Sequence, residues 1–198
     1  MRTLLIPLVI FSILLEACPK SITAVKTQSY EPVEYFPMKK GYKWSYILTS
    51  IRENTSSLIN TEVEEISLND VRINSGGSVF HYIITEDGIM KKSAGYYILK
   101  KPLKRGTFWE FSTGGAEGKI TVTETDQKIS VRGREYSNCI ITEETVKGQN
   151  IILRTYYAYG VGPVLIEQTA LFQESAVLVL RAELMGYSFD PSIENPAE

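Results

Sequence analysis

The sequence predicts an all-β domain, built as a strongly curled antiparallel sheet (a half-barrel, a barrel or a sandwich), behind a cleaved N-terminal signal peptide. From Gly41 onward, short runs rich in Tyr, Ile, Val and Thr are separated by turn residues at roughly ten-residue spacing. Several of these runs alternate apolar and polar residues with the period of a β-strand. After the N-terminal segment, no run shows convincing helical periodicity.

Glycine-containing turns separate the predicted strands. Glycine favours such positions because it adopts positive φ angles without steric cost. The turns are Ser75-Gly76-Gly77-Ser78, Asp87-Gly88, Ala94-Gly95, Gly114-Gly115, Arg132-Gly133 and Lys147-Gly148.

The alternation indicates that each strand buries one face. Ile120 and Val122 flank Thr121, and Phe80 and Tyr82 share one face of their run. Many strands with one apolar face each are best covered when the sheet curls on itself, because a flat sheet would expose that face.

The first residues predict an export signal. A basic start at Arg2 is followed by an apolar run over residues 4–15 and then by Cys18 after a small residue. The run is shorter than the ~20 apolar residues that a spanning helix needs, and Pro7 interrupts it. The alternatives are an uncleaved N-terminal anchor and a buried helix.

The segment Leu15-Glu16-Ala17-Cys18 resembles a bacterial lipobox, from which only Glu16 departs. The resemblance implies that Cys18 becomes the first mature residue and carries acyl chains, such as palmitate, that hold the protein to a membrane. Pro19 stands where an aspartate would favour retention in the inner membrane. The resemblance therefore implies an outer-membrane location facing the periplasm, if the bacterium has two membranes.

The chain divides into four parts on this interpretation. Residues 1–17 are the lipoprotein signal peptide, and residues 18–34 are the lipidated cysteine and a flexible tether. Residues 35–187 form a single antiparallel β domain. Residues 188–198 are polar, broken by proline and predicted to be disordered.

Composition excludes several classes of partner and chemistry. The formal net charge is −2 and no basic stripe is present, so the sequence gives no reason to expect nucleic-acid binding. The cysteines are Cys18 and Cys139. With Cys18 assigned to lipid, no intramolecular disulfide is expected, and Cys139 beside Ile140 is predicted to be a small buried hydrophobe.

Motifs that resemble catalytic or cofactor sites have simpler interpretations. Gly160-Val161-Gly162 is followed by a predicted strand, whereas a dinucleotide fingerprint requires a helix. Glu143 and Glu144 are adjacent, so they face opposite sides of a strand and are both predicted to be solvated. His81 has no second metal ligand at suitable spacing. We therefore predict no catalytic residues, no cofactor and no metal site.

A short element occurs twice in the chain. Residues 37–44, Pro-Met-Lys-Lys-Gly-Tyr-Lys-Trp, are matched by residues 102–109, Pro-Leu-Lys-Arg-Gly-Thr-Phe-Trp. The pattern is typical of the start of a strand, where glycine permits a turn with positive φ and the tryptophan points inward. Trp44 and Trp109 are either core anchors or part of an apolar cavity wall, and the sequence leaves both open.

Three segments resemble small bacterial lipoproteins of uncharacterised function. They are residues 35–46, which hold the pattern Tyr-x-Pro, Gly, Trp and Tyr, then Tyr136-Ser137-Asn138-Cys139-Ile140, and the hairpin over residues 157–164. The resemblance implies a curled antiparallel β fold and no known catalytic residues.

Three functions are compatible with these features. The first is a membrane-anchored, non-catalytic β domain for binding or scaffolding in the cell envelope, with an envelope protein as partner. The second is a carrier or chaperone that binds a lipid or another apolar molecule in the concavity of the sheet, in contact with residues such as Trp44, Trp109, Tyr82 and Phe80. The third and weakest is an envelope hydrolase, because no paired nucleophile and base is visible.

Overall fold

The structure is a computed structural model that describes residues 30–172 and 175–189. The predicted signal peptide, Cys18, most of the predicted tether and residues 190–198 lie outside the described residues. Within the described part, no helix has the length and apolar character needed to cross a membrane.

The described residues form one short helix followed by twelve strands. The helix is α1 (Pro32–Tyr35). The strands are β1 (Lys43–Ser50), β2 (Thr55–Ser67), β3 (Asp70–Ser75), β4 (Ser78–Ile84), β5 (Gly88–Lys91), β6 (Tyr96–Lys100), β7 (Phe108–Thr113), β8 (Ala116–Val131), β9 (Arg134–Val146), β10 (Ile151–Ala158), β11 (Gly162–Phe172) and β12 (Ser175–Ser188).

All twelve strands belong to one antiparallel sheet that is nearly closed into a barrel. Their order is β6-β5-β4-β3-β2-β1-β12-β11-β10-β9-β8-β7. Strands that follow each other in sequence pair with each other, apart from β6 and β7, which are the two edges of the sheet. In addition, β1 pairs with β12. The all-β, curled antiparallel fold predicted from the sequence is confirmed.

Side chains, rather than a β-ladder, join the two edge strands. The indole N–H of Trp109 on β7 donates to the carbonyl oxygen of Tyr97 on β6, with a donor–acceptor distance of 2.7 Å. The rings of Tyr96 and Phe111 stack with centroids 4.2 Å apart. We call this contact between β6 and β7 the seam.

The segment around α1 covers one end of the barrel. The helix contacts β5 and β11, which lie far apart in the sheet order, so it crosses that end. Tyr35 is fully buried there, and the backbone N–H of Gly160 donates to the carbonyl oxygen of Glu34 at 2.7 Å. Residues 30–34, assigned to the tether from sequence, therefore include packed structure. At the other end of the described residues, Ser188 belongs to β12 and Phe189 stacks on Tyr42, with ring centroids 4.1 Å apart, so these two residues of the predicted disordered tail are packed.

The repeated element builds the same local structure twice. Gly41 and Gly106 have φ angles of 82° and 84°, in the left-handed region that favours glycine. Their N–H groups donate to the carbonyl oxygens of Val63 and Val122, each over 2.8 Å. The two copies begin β1 and β7, which stand on opposite sides of the barrel, so the sequence pattern encodes how a strand starts.

Candidate ligand cavity

A cavity of about 320 Å³ lies inside the curled sheet. Eleven of the twelve strands contribute to its wall, with β7 as the exception. Most of the wall is apolar or aromatic; its members include Tyr46, Ile59, Ile73, Ile98, Ile166 and Ala182. The alternation of the strands causes this arrangement, because inward positions on each strand converge on the same interior space.

The end of the cavity beside α1 is closed by aromatic rings. Phe36 follows the helix and packs edge-on against Tyr82, with ring centroids 5.9 Å apart. The hydroxyl of Tyr46 donates to the carbonyl oxygen of Pro163 at 2.8 Å. Burial raises the pKa of Tyr46 and of Tyr157 above the ordinary value for tyrosine. These buried rings form the inner end of the cavity.

Phe80 and Tyr82 line the cavity, on the face of β4 that the alternation predicts to be apolar. Burial raises the pKa of Tyr82 to about 12. Within the described ranges, no protein group forms a hydrogen bond with the Tyr82 hydroxyl. That hydroxyl is therefore available to a molecule in the cavity.

Trp44 and Trp109 lie in the core and do not line the cavity. Their relative exposures are 1% and 7%. The indole N–H of Trp44 donates to the carbonyl oxygen of Val161 at 2.7 Å, the same distance as the equivalent bond from Trp109 at the seam. The sequence left open whether these tryptophans anchor the core or line a cavity. In the structure, both are core anchors.

A polar group on one side of the cavity was missed by the sequence analysis. Glu144 of β9 lines the cavity together with Tyr96 and Lys91. The Tyr96 hydroxyl donates to Glu144 Oε1 at 3.0 Å, reaching across the seam. Burial raises the pKa of Glu144, while the Tyr96 hydrogen bond and the charge of Lys91 act in the opposite direction.

The prediction that Glu143 and Glu144 are both solvated is wrong for Glu144. Glu143 faces outward and accepts a hydrogen bond from Arg154 Nε at 2.9 Å. Glu144 faces inward with Ile140 and Thr142, which are 0% and 4% exposed. The sequence already contained this information, because residues 140, 142 and 144 are alternate positions on one strand and therefore face the same side of the sheet.

Cys139 and His81 are not brought together. Cys139 is fully buried in β9, and burial raises its pKa to about 11, so its thiol stays protonated at neutral pH. His81 lies on β4, where its Nδ1 is 3.2 Å from Asp70 Oδ1. These two residues therefore do not supply a nucleophile and base.

Fold and cavity together define a nearly closed antiparallel β domain with a mostly apolar interior space and a carboxylate in its wall. In sequence, the chain matches no protein-family model. No curated protein matches it either.

Three solved structures of bacterial proteins resemble this chain in shape. One is described as an exported protein with a YmcC-like fold from Bacteroides fragilis (TM-score 0.44, 9% identity, covering 76% of this chain and 97% of that chain). A second is described as a lipoprotein from Parabacteroides distasonis (TM-score 0.43, 11% identity, covering 81% and 100%). A third is the hypothetical lipoprotein YmcC from Escherichia coli (TM-score 0.39, 12% identity, covering 78% and 89%). All three TM-scores are below 0.5, so these similarities do not indicate a function.

Proposed function

We propose that this chain is a lipid-anchored protein of the bacterial cell envelope whose non-catalytic β domain binds one small apolar or amphipathic molecule. The observation that carries the proposal is the cavity of about 320 Å³ with a mostly apolar wall. Such a cavity meets the usual description of a small-molecule site, which is concave and apolar with a few polar groups that fix orientation.

The volume limits the size of the ligand. Ligand pockets span about 300–1,000 Å³, so this cavity lies at the small end of the range. The site fits one medium-length acyl chain or a small ring system, and each buried methylene would contribute about 0.8 kcal/mol.

Binding to an envelope protein is the second candidate function. Large apolar side chains are exposed close together on the neighbouring strands β10, β11 and β12, namely Ile151 at 37%, Phe172 at 59% and Val177 at 46%. Exposed apolar groups of this kind favour contact with another protein when they form a continuous patch.

Native mass spectrometry of residues 19–198, exported behind a cleavable signal, tests the cavity. All buried hydrophobic residues of the described structure lie between Tyr35 and Leu184, so this chain keeps the whole described core. We expect a retained apolar molecule, or uptake of added 1-decanol. Ala182→Leu should lower the occupancy at least about tenfold, a change of ~1.4 kcal/mol, because Ala182 lines the cavity.

The matched control is Ala176→Leu on the same strand, where the side chain is exposed. This variant should keep the occupancy of the unsubstituted chain. A bare chain that also fails to take up 1-decanol would contradict the proposed ligand site.

The anchor has its own test. In cells fed with labelled palmitate, Cys18→Ala should abolish incorporation of label, because a thiol is the proposed attachment point and alanine has none. Cys139→Ala, which removes the buried cysteine, should remain labelled. Undiminished labelling of Cys18→Ala would contradict the lipid-anchor proposal.

A further inference from the structure

The geometry points to Glu144 as the residue that selects the ligand: the cavity takes an amphipathic molecule whose polar end is an alcohol or an amine and discriminates against a carboxylate. This inference rests on the proposed ligand-binding function and deepens it. The apolar part of the ligand would lie against the aromatic and aliphatic wall, with its hydrogen-bond donor directed at Glu144.

Glu144 is held in place by its strand and by one hydrogen bond. In the register of the sheet it lies opposite Ile120 of β8 and Leu153 of β10, and both of these residues also line the cavity. The Tyr96 hydroxyl fixes Oε1 at 3.0 Å. Stacking of Tyr96 on Phe111 holds that hydroxyl in turn, so the carboxylate is preorganised.

The second oxygen of Glu144 has no donor from the protein. Within residues 30–172 and 175–189, Tyr96 is the group that forms a hydrogen bond with this carboxylate, and it bonds only Oε1. An ionised carboxylate can only accept hydrogen bonds, and this oxygen is not among the buried unsatisfied atoms of the described residues, so a donor in the cavity can reach it. A ligand hydroxyl or ammonium group supplies the missing donor, whereas a ligand carboxylate adds a second acceptor and a like charge.

Lys91 carries a nearby positive charge, which would favour a ligand with a carboxylate. Its Nζ lies 5.4 Å from the centroid of the Phe80 ring, in a cation–π contact with that wall residue. It forms no ion pair with Glu144 within the described part of the chain, although its charge acts to lower the Glu144 pKa. Glu144 also interacts with the hydroxyls of Tyr96 and Tyr157, which are neutral at ordinary pH as tyrosines normally are, and burial raises their pKa values further.

Three ligands of equal chain length test the selection. Decylamine, 1-decanol and decanoate are titrated at pH 8 into residues 19–198 by calorimetry, with 1-decanol as the uncharged reference. We expect decylamine to bind at least about tenfold more tightly than decanoate, a difference of ~1.4 kcal/mol. Glu144→Gln keeps an acceptor for Tyr96 but removes the charge, so it should reduce that ratio to about threefold or less.

Two further variants provide a control and a change in the opposite direction. Glu143→Gln changes the neighbouring residue on the outer face and should leave the ratio unchanged. Lys91→Met removes the opposing cation and should widen the ratio, which provides a test that does not depend on the folding of Glu144→Gln.

The outcomes distinguish a failure of the proposed ligand binding from a failure of the proposed role of Glu144. If none of the three ligands binds, the ligand-binding function fails and the selection fails with it. If 1-decanol binds but decanoate binds as tightly as decylamine, the cavity stands and the role of Glu144 is refuted. An unchanged ratio in Glu144→Gln refutes the role of Glu144 in the same way.

Discussion

Replacing Trp44 by alanine is expected to lower the free energy of unfolding by about 3–5 kcal/mol, the range found for large aromatic residues removed from a core. The side chain is 1% exposed and packs edge-on against Phe36, with ring centroids 5.7 Å apart. Its indole N–H also satisfies the carbonyl oxygen of Val161 at 2.7 Å. Chemical denaturation of residues 19–198, followed by circular dichroism, measures the change.

Trp44→Phe separates packing from the hydrogen bond. Phenylalanine keeps much of the apolar volume but leaves the Val161 carbonyl without its donor, so we expect a loss of about 1–3 kcal/mol. Phe172→Ala is the surface control, since that side chain is 59% exposed, and its loss should stay below about 1 kcal/mol. A loss below 1 kcal/mol for Trp44→Ala would show that the tryptophan is not a core anchor.

Local features of this fold follow from local sequence. Phe80 and Tyr82 point inward because they occupy alternate positions on a strand, and a period of two can be read from the residues alone. The starts of β1 and β7 follow in the same way from the repeated Pro–Gly–Trp element, whose glycines adopt positive φ angles. In both cases the determinant lies within a few residues of the structure it specifies.

Long-range features could not be predicted in this way. Alternation shows which face of β1 is buried, but not that β1 pairs with β12, because strand pairing depends on the whole set of strands. The seam depends on a side chain of β7 that meets a backbone carbonyl of β6, with no pattern in either strand to mark it. Glu144 illustrates a different limit, since its parity indicated the interior while its charge favoured solvent.

The second large effect is expected at Gly88, the first residue of β5. A Cβ placed there would lie 2.1 Å from the carbonyl oxygen of Leu99 on β6, far inside van der Waals contact. That oxygen belongs to the backbone of an edge strand at the seam, so it cannot move aside as a flexible side chain would. The φ angle of +158° also lies outside the regions that residues with a side chain prefer.

Gly88→Ala should therefore lower the free energy of unfolding by about 3 kcal/mol or more, the size associated with a backbone forced out of place. Gly95→Ala is the matched control, because Gly95 has a φ of +70° but nothing within 4 Å of the added Cβ. Its free energy of unfolding should fall by only about 1–2 kcal/mol, which is the cost of placing a side chain on a backbone with positive φ. Equal losses in the two variants would mean that β5 and β6 can separate without penalty. A clear excess for Gly88→Ala would show that the close approach of the β5 and β6 backbones cannot relax.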